Sequence, residues 1–195
     1  RGPNTGGMGS CSPVAWLDEG LIKKTEARIA APLIETLRRK NIDFRGVLFS
    51  GVMVVGGEPY CLEYNVRFGD PETQSIVRRI GSGFLGALTA VANGAPIPAF
   101  EVLDNAVVTV VLASEGYPGK VAKGRSVKVP DGLPDDVVVF HAGTSVLMDD
   151  VVTSGGRVLG VSATGPDLAT ARATAYAAAE RIEFKGKFFR SDIGA

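Results

Sequence analysis

Two β-forming apolar runs, Gly46–Val55 and Pro59–Val66, stand on either side of Gly56-Gly57 and constrain this chain more than any other feature. Two glycines between apolar runs of strand length mark a tight β-hairpin. Side chains on a strand alternate between faces, so the pattern places Glu63, Asn65 and Arg67 on one side of the second strand. Successive residues on that side are about 6.5–7 Å apart along the strand. Gly69 then permits a sharp turn. Asp70-Pro71 has the form of a helix start, with Asp as N-cap and Pro at the first helical position, and predicts a helix to about Ile80.

The hairpin end therefore gathers two acids, an amide, an arginine and another acid. A carboxylate and an amide oxygen, from Glu63 and Asn65, suit Mg²⁺, a hard cation that keeps waters and shares substrate phosphates. Arg67 beside them can hold a carboxylate or phosphate bidentately. Each residue also has an ordinary structural use. Polar side chains are common at exposed strand ends, Arg67 can pair with Glu63, Asp70 can cap a helix, and Glu72 can favour the helix dipole. Spacing alone leaves both readings open.

Elsewhere residues 17–41 carry apolar positions at helical spacing, with Pro32 expected to kink or divide the helix. A second short helix is expected over about Phe84–Asn93, ending at Gly94. Ala95-Pro96-Ile97-Pro98 is the best boundary in the chain, dividing it into residues 1–97 and 98–195. The second half changes character. Asn105–Ser114, Val127–Val129, Val137–Ala142, Ser145–Met148 and Val158–Thr164 read as strands, and a helix over about Asp167–Ile182 closes the chain. Leu168, Ala171, Ala175, Ala179 and Ile182 form its buried stripe. The class is α+β.

With 21 basic and 21 acidic residues, nothing favours nucleic acid or an anionic membrane surface. The longest apolar runs are strand length, far short of the roughly 20 residues of a membrane helix. Cys11 and Cys61 make no close metal or redox pair, and cytoplasmic residence is expected. His141 is the only histidine, which excludes a two-histidine zinc site; it reads as a hydrogen-bonded strand end. Cys61, Trp16 and the phenylalanines read as packing residues. Gly2–Gly9 is glycine-rich but carries neither a Walker A nor a Rossmann fingerprint. Its backbone amides can face an anion, with Asn4 and Thr5 adding side-chain bonds, although a tight turn is the commoner use of such a run. This run at the head of a chain that opens on Arg1 predicts a piece of a longer protein.

Gly2-Pro3-Asn4-Thr5-Gly6-Gly7-Met8-Gly9 and Glu63-Tyr64-Asn65-Val66-Arg67-Phe68-Gly69-Asp70-Pro71-Glu72-Thr73-Gln74 resemble the phosphoribosylamine–glycine ligase family. Ser114-Glu115-Gly116-Tyr117-Pro118-Gly119, Gly155-Gly156-Arg157-Val158-Leu159-Gly160-Val161 and Arg190-Ser191-Asp192-Ile193-Gly194 resemble its C-terminal motifs, in the family's order. The resemblance covers essentially the whole chain. It implies the C-terminal part of an ATP-grasp fold, an antiparallel sheet with helices, over residues 1–97. A small β-rich C-terminal module with a closing helix follows over 98–195.

The activity implied is ATP-dependent joining of glycine to 5-phosphoribosylamine in purine biosynthesis, through a glycyl phosphate, with ADP and phosphate released. Glu63 and Asn65 match the family's metal ligands, for Mg²⁺ or Mn²⁺. Arg67, Asp70 and Glu72 match the acceptor-site motif, with Arg67 holding an anionic group and Asp70 or Glu72 positioning an amine. Asn4, Thr5, Gly6 and Gly7 are expected to line the same pocket. The resemblance puts the N-terminal portion of the enzyme before Arg1, so the chain alone is expected to be inactive. Ser10-Cys11 stand where the family usually carries Ala-Tyr, a difference expected to alter packing more than chemistry. Two further readings remain at this point: another ATP-grasp carboxylate–amine ligase, or a non-catalytic interaction module. The second is expected to show damage in the acidic cluster, and all five of its polar residues are intact.

Overall fold

The computed structural model describes residues 3–195, so Gly2 of the glycine-rich run lies outside the described residues. In chain order the elements begin with β1 (Gly9–Ser12), α1 (Glu19–Thr25), a π-helical segment (Glu26–Ala30) and α2 (Ala31–Arg39). The hairpin strands β2 (Phe49–Val55) and β3 (Glu58–Asn65), then α3 (Glu72–Val77) and α4 (Phe84–Asn93), follow. The second half holds β4 (Ala106–Ser114), β5 (Val137–His141), β6 (Thr144–Leu147), β7 (Asp150–Thr153), β8 (Arg157–Gly165), α5 (Leu168–Arg181) and β9 (Lys187–Phe188). The fold is α+β with antiparallel sheets.

The chain forms two compact units whose segments alternate along the sequence. One holds the described residues up to Pro13, Asp70–Ile80 and Val102–Ala195; the other holds Val14–Gly69 and Gly81–Glu101. Compactness thus departs from chain order. β1 pairs with β4 across about a hundred residues, which ties the head of the chain to the sheet of the second half.

In the unit of Val14–Gly69 and Gly81–Glu101, β2 and β3 form the expected hairpin. Gly56 and Gly57 carry φ of 58° and 76°, the pair of positive values a two-residue turn needs. Lys24 donates to Glu58 at 2.7 Å and Arg28 joins it, so that hydrogen bonding from Lys24 holds the Glu58 carboxyl below its usual range. The helical run is divided next to Pro32, as expected: a π-helical segment ends at Ala30 and α2 opens at Ala31, with Pro32 in its first turn. Proline lacks an N–H and crowds the carbonyl one turn earlier, and the helix responds by widening into a π turn just before it: Ala31 N–H reaches back to Glu26. α4 occupies the expected span and ends at Gly94 with φ 65°. Trp16 and Cys61, expected to pack, are exposed.

In the other unit a sheet runs β1-β4-β8-β5, with β9 also on β4. All nine residues of β4 are buried, and its two faces do different work. Ala106, Val108, Val110 and Leu112 pack into one core with Ala171, Ala175, Ala179 and Ile182 of the α5 region, as the alanine stripe predicts. Val111 and Ala113 face the other way, with Met8 and Tyr117. Where a strand over Val127–Val129 was expected, only isolated bridges form, at Ser126 and Lys128, and β1 and β7 are strands the sequence pattern did not show. Asp167 caps α5, accepting from the Thr170 N–H at 2.7 Å, and that backbone bond holds its carboxyl below the usual range. A depressed carboxylate contributes stability that is present above its unfolded value and fades as pH falls through the folded one. Asp167→Ala is therefore expected to lower the thermal midpoint at pH 7, with the difference from the parent shrinking in acid below the ordinary aspartate range. Thermal unfolding of both proteins across pH checks this.

Candidate functional site

The residues expected at the site fall in both units. In the hairpin unit, Glu63 and Asn65 lie opposite Gly51 and Phe49 in regular register. Their shared face is confirmed by a side-chain bond, Asn65 Nδ2 donating to Glu63 Oε1 at 3.0 Å. The ladder slips immediately before them: Val52 faces Cys61 while Gly51 faces Glu63, so Leu62 is an extra residue. Arg67 lies beyond the strand in a bend, where its Nη1 donates to the Phe68 carbonyl at 2.8 Å. Among the described residues no three His, Cys, Asp or Glu side chains gather closely enough to hold a metal. Glu63 and Asn65 offer two hard oxygens at an accessible strand end, a donor set that fits a cation completing its shell with water and phosphate oxygens.

In the sheet unit a second group forms on the face of β4 that carries Val111 and Ala113. Arg157 is its centre. Its Nη1 donates to the carbonyls of Gly7 at 3.1 Å and Asp70 at 2.9 Å, and its Nη2 donates to Asp70 Oδ2 at 2.7 Å. Gln74 Nε2 donates to the other carboxylate oxygen at 3.0 Å. The Gly6 N–H donates to the Tyr117 hydroxyl at 3.0 Å. A Cβ added at Gly7 would collide with the Pro71 ring, so the glycine-rich run is packed against the Asp70-Pro71 turn. Ser10 ties β1 to the same turn by donating to the Pro71 carbonyl at 2.9 Å, and its hydroxyl meets that of buried Ser75 at 2.8 Å. Ser75 continues to Thr109, and Thr109 to Ser162, in a row of buried hydroxyls.

This corrects the expectation for Asp70. It caps no helix: α3 starts at Glu72, Pro71 takes the capping position without a side-chain bond, and the Asp70 carboxylate turns to Arg157 and Gln74 instead. A charged guanidinium N–H outcompetes a neutral backbone N–H for a carboxylate. Glu72 is half-buried in the first turn of α3, and Asn4 and Thr5 are exposed. Reading the sequence missed Arg157 and Tyr117 as site residues. Both lay in motifs it had singled out, but their contacts reach 87 to 150 residues away for Arg157 and 111 for Tyr117. His141 sits at the end of β5 with Nδ1 3.0 Å from Thr144 Oγ1, as expected of a structural histidine.

Residues 1–73 match the phosphoribosylglycinamide synthetase ATP-grasp (A) domain, and residues 107–195 match the C domain of the same family. The phosphoribosylamine–glycine ligase of Phenylobacterium zucineum is 46% identical over all of this chain and 47% of its own length. That of Agrobacterium fabrum is 42% identical over 99% of this chain and 46% of its own. The chain thus spans about half the length of the curated relatives it matches. The crystal structure of the Thermotoga maritima phosphoribosylamine–glycine ligase matches 98% of this chain and 47% of that one, with a TM-score of 0.87 and 40% identity. A biotin carboxylase from Campylobacter jejuni shares the fold at 16% identity, with a TM-score of 0.65 over 93% of this chain and 40% of that one. The chain belongs to the phosphoribosylamine–glycine ligase family, with residues 1–73 from its ATP-grasp domain and residues 107–195 from its C domain.

Proposed function

We propose that this chain is part of an enzyme that joins glycine to 5-phosphoribosylamine at the expense of ATP. The reaction gives glycinamide ribonucleotide, ADP and phosphate through a glycyl phosphate, in the purine pathway of the cytoplasm. The observation that carries the reading is the paired Glu63 and Asn65 oxygens on one strand end, intact in a chain of this family. Glu63 and Asn65 would hold Mg²⁺ or Mn²⁺, which when bound neutralises phosphate charge during transfer. Arg67 spends one guanidinium nitrogen on the Phe68 carbonyl, which leaves Nε and Nη2 to grip the glycine carboxylate or the transferring phosphoryl group. Asp70 accepts one bond at each carboxylate oxygen, and each oxygen retains a lone pair for an incoming amine N–H. Glu72, one residue into α3, is the other candidate for that amine. Asn4 and Thr5, with the amides of Gly6 and Gly7, would contact the substrate beside Asp70. On this reading residues 1–97 end the catalytic core, residues 98–195 form the C-terminal module, and the N-terminal portion of the enzyme is the chain's necessary partner.

ADP release is the test. In the full-length protein that carries this chain, release is expected only when glycine and 5-phosphoribosylamine are supplied together, and to fall to background when either is omitted. The 195-residue chain alone is expected to stay at background. Release that depends on a different carboxylate or amine would overturn the substrate assignment. Turnover by the 195-residue chain would overturn the need for the preceding portion.

A further inference from the structure

We propose that Arg157, assisted by Tyr117, is a positioning residue that sets the Asp70 carboxylate and the Gly6-Gly7 backbone in their working geometry. This rests on the ligase reading above. The two C-domain motifs that contain these residues have no part in the chemistry assigned so far, yet their side chains close on the segments to which that chemistry gives the acceptor amine. One guanidinium reaches three acceptors, Gly7 O, Asp70 O and Asp70 Oδ2, on segments more than sixty residues apart in sequence. An arginine fork has the planar, many-donor geometry for this; an ammonium does not. From the other side, the Tyr117 hydroxyl takes the Gly6 N–H, and the Tyr117 ring lies where any side chain at position 156 would stand.

The backbone shows that this placement is built in. Leu159, Val161 and Ala163 pair with Leu112, Val110 and Val108 and share their face, in the α5 core. Strand alternation would put Arg157 on that same apolar face, two residues from Leu159. Instead the register slips between Leu112 and Ala113: Ala113 faces Arg157, and Val158 is the extra residue. The bulge reverses the parity of β8 at its first residue and turns Arg157 onto the opposite face, beside Ala113, Gly7 and Asp70. Bulges that re-aim one side chain are a recurrent device next to functional sites. Val158 stays fully buried in the α5 core, so the reversal leaves no gap there.

A group acting through Asp70 must show non-additivity with it. In the full-length protein, Arg157→Ala is expected to lower kcat for ADP release about 100-fold, the scale of an ångström's misplacement of a reacting group. The KM for ATP should be unchanged. Arg157→Lys should recover only part of the loss, and Tyr117→Phe should fall a few-fold. Asp70→Asn combined with Arg157→Ala should lose far less than the product of the two single losses, the remainder being the Gly7 contact that Asp70→Asn leaves in place. If the two losses multiply, or if Arg157→Ala stays within about threefold of the parent, the proposal fails. If Arg157→Ala does not fold, the same cycle run with Arg157→Lys decides. The parent enzyme in the same assay separates the two readings. Parent turnover with glycine and 5-phosphoribosylamine upholds the ligase reading whatever the variants do, and its absence overturns that reading and this proposal with it.

Discussion

Glu63→Gln is expected to lower substrate-dependent ADP release by the full-length protein about 1,000-fold, at the upper end for removal of one electrostatic stabiliser of a transition state. The substitution keeps the shape of the side chain and an oxygen able to accept from Asn65 Nδ2, so the hairpin has no reason to change. What it removes is the negative charge. A neutral amide holds a divalent cation far more weakly than a carboxylate does, and Asn65 supplies no charge of its own. Partial recovery on raising Mg²⁺ or Mn²⁺ is therefore expected, with an unchanged thermal midpoint. Activity within tenfold of the parent at low Mg²⁺ would remove Glu63 from the metal site. A loss that no cation concentration relieves, accompanied by a lowered midpoint, would mean that the residue is structural.

What the sequence made legible was local. Gly56-Gly57 needs only its neighbours to specify a hairpin, and Glu63 and Asn65 follow by alternation. The α5 helix announces itself by Asp167 at one end and an alanine stripe along its length. What stayed hidden was set by partners far along the chain. Gly9–Ser12 has no strand signature; it becomes a strand because β4 offers a free edge about a hundred residues later. Asp70 before a proline reads as a cap until Arg157 arrives from 87 residues away and takes its carboxylate. No periodicity announces an extra residue at Leu62 or Val158, because a bulge is defined against the partner strand. Both bulges lie next to residues assigned functional roles. Chemistry-bearing residue types were therefore readable, whereas the faces they occupy required the register.

The register depends in turn on the core behind it, and Leu112→Ala is expected to be the most destabilising single truncation there. Leu112 is fully buried and pairs with fully buried Leu159 at the last regular step before the Val158 bulge. Truncating a leucine in a core costs about 2–5 kcal/mol, the higher values arising where the surroundings cannot collapse into the cavity. Collapse is hard here. Much of the packing helix is already alanine, so its backbone lies close to the sheet, and Ala171, Ala175, Ala178 and Ala179 have no longer side chains to swing inward. A loss of about 4 kcal/mol is expected, read as a lower urea midpoint at constant slope. Val146→Ala, exposed on β6 in the same unit, should shift stability by less than about 0.5 kcal/mol. If Leu112→Ala costs no more than Val146→Ala, β4 is not the spine of this unit. If it costs the expected amount, the full-length variant should also lose turnover, in parallel with Arg157→Lys, because the strand pair that turns Arg157 towards Asp70 is held in place by the same leucine.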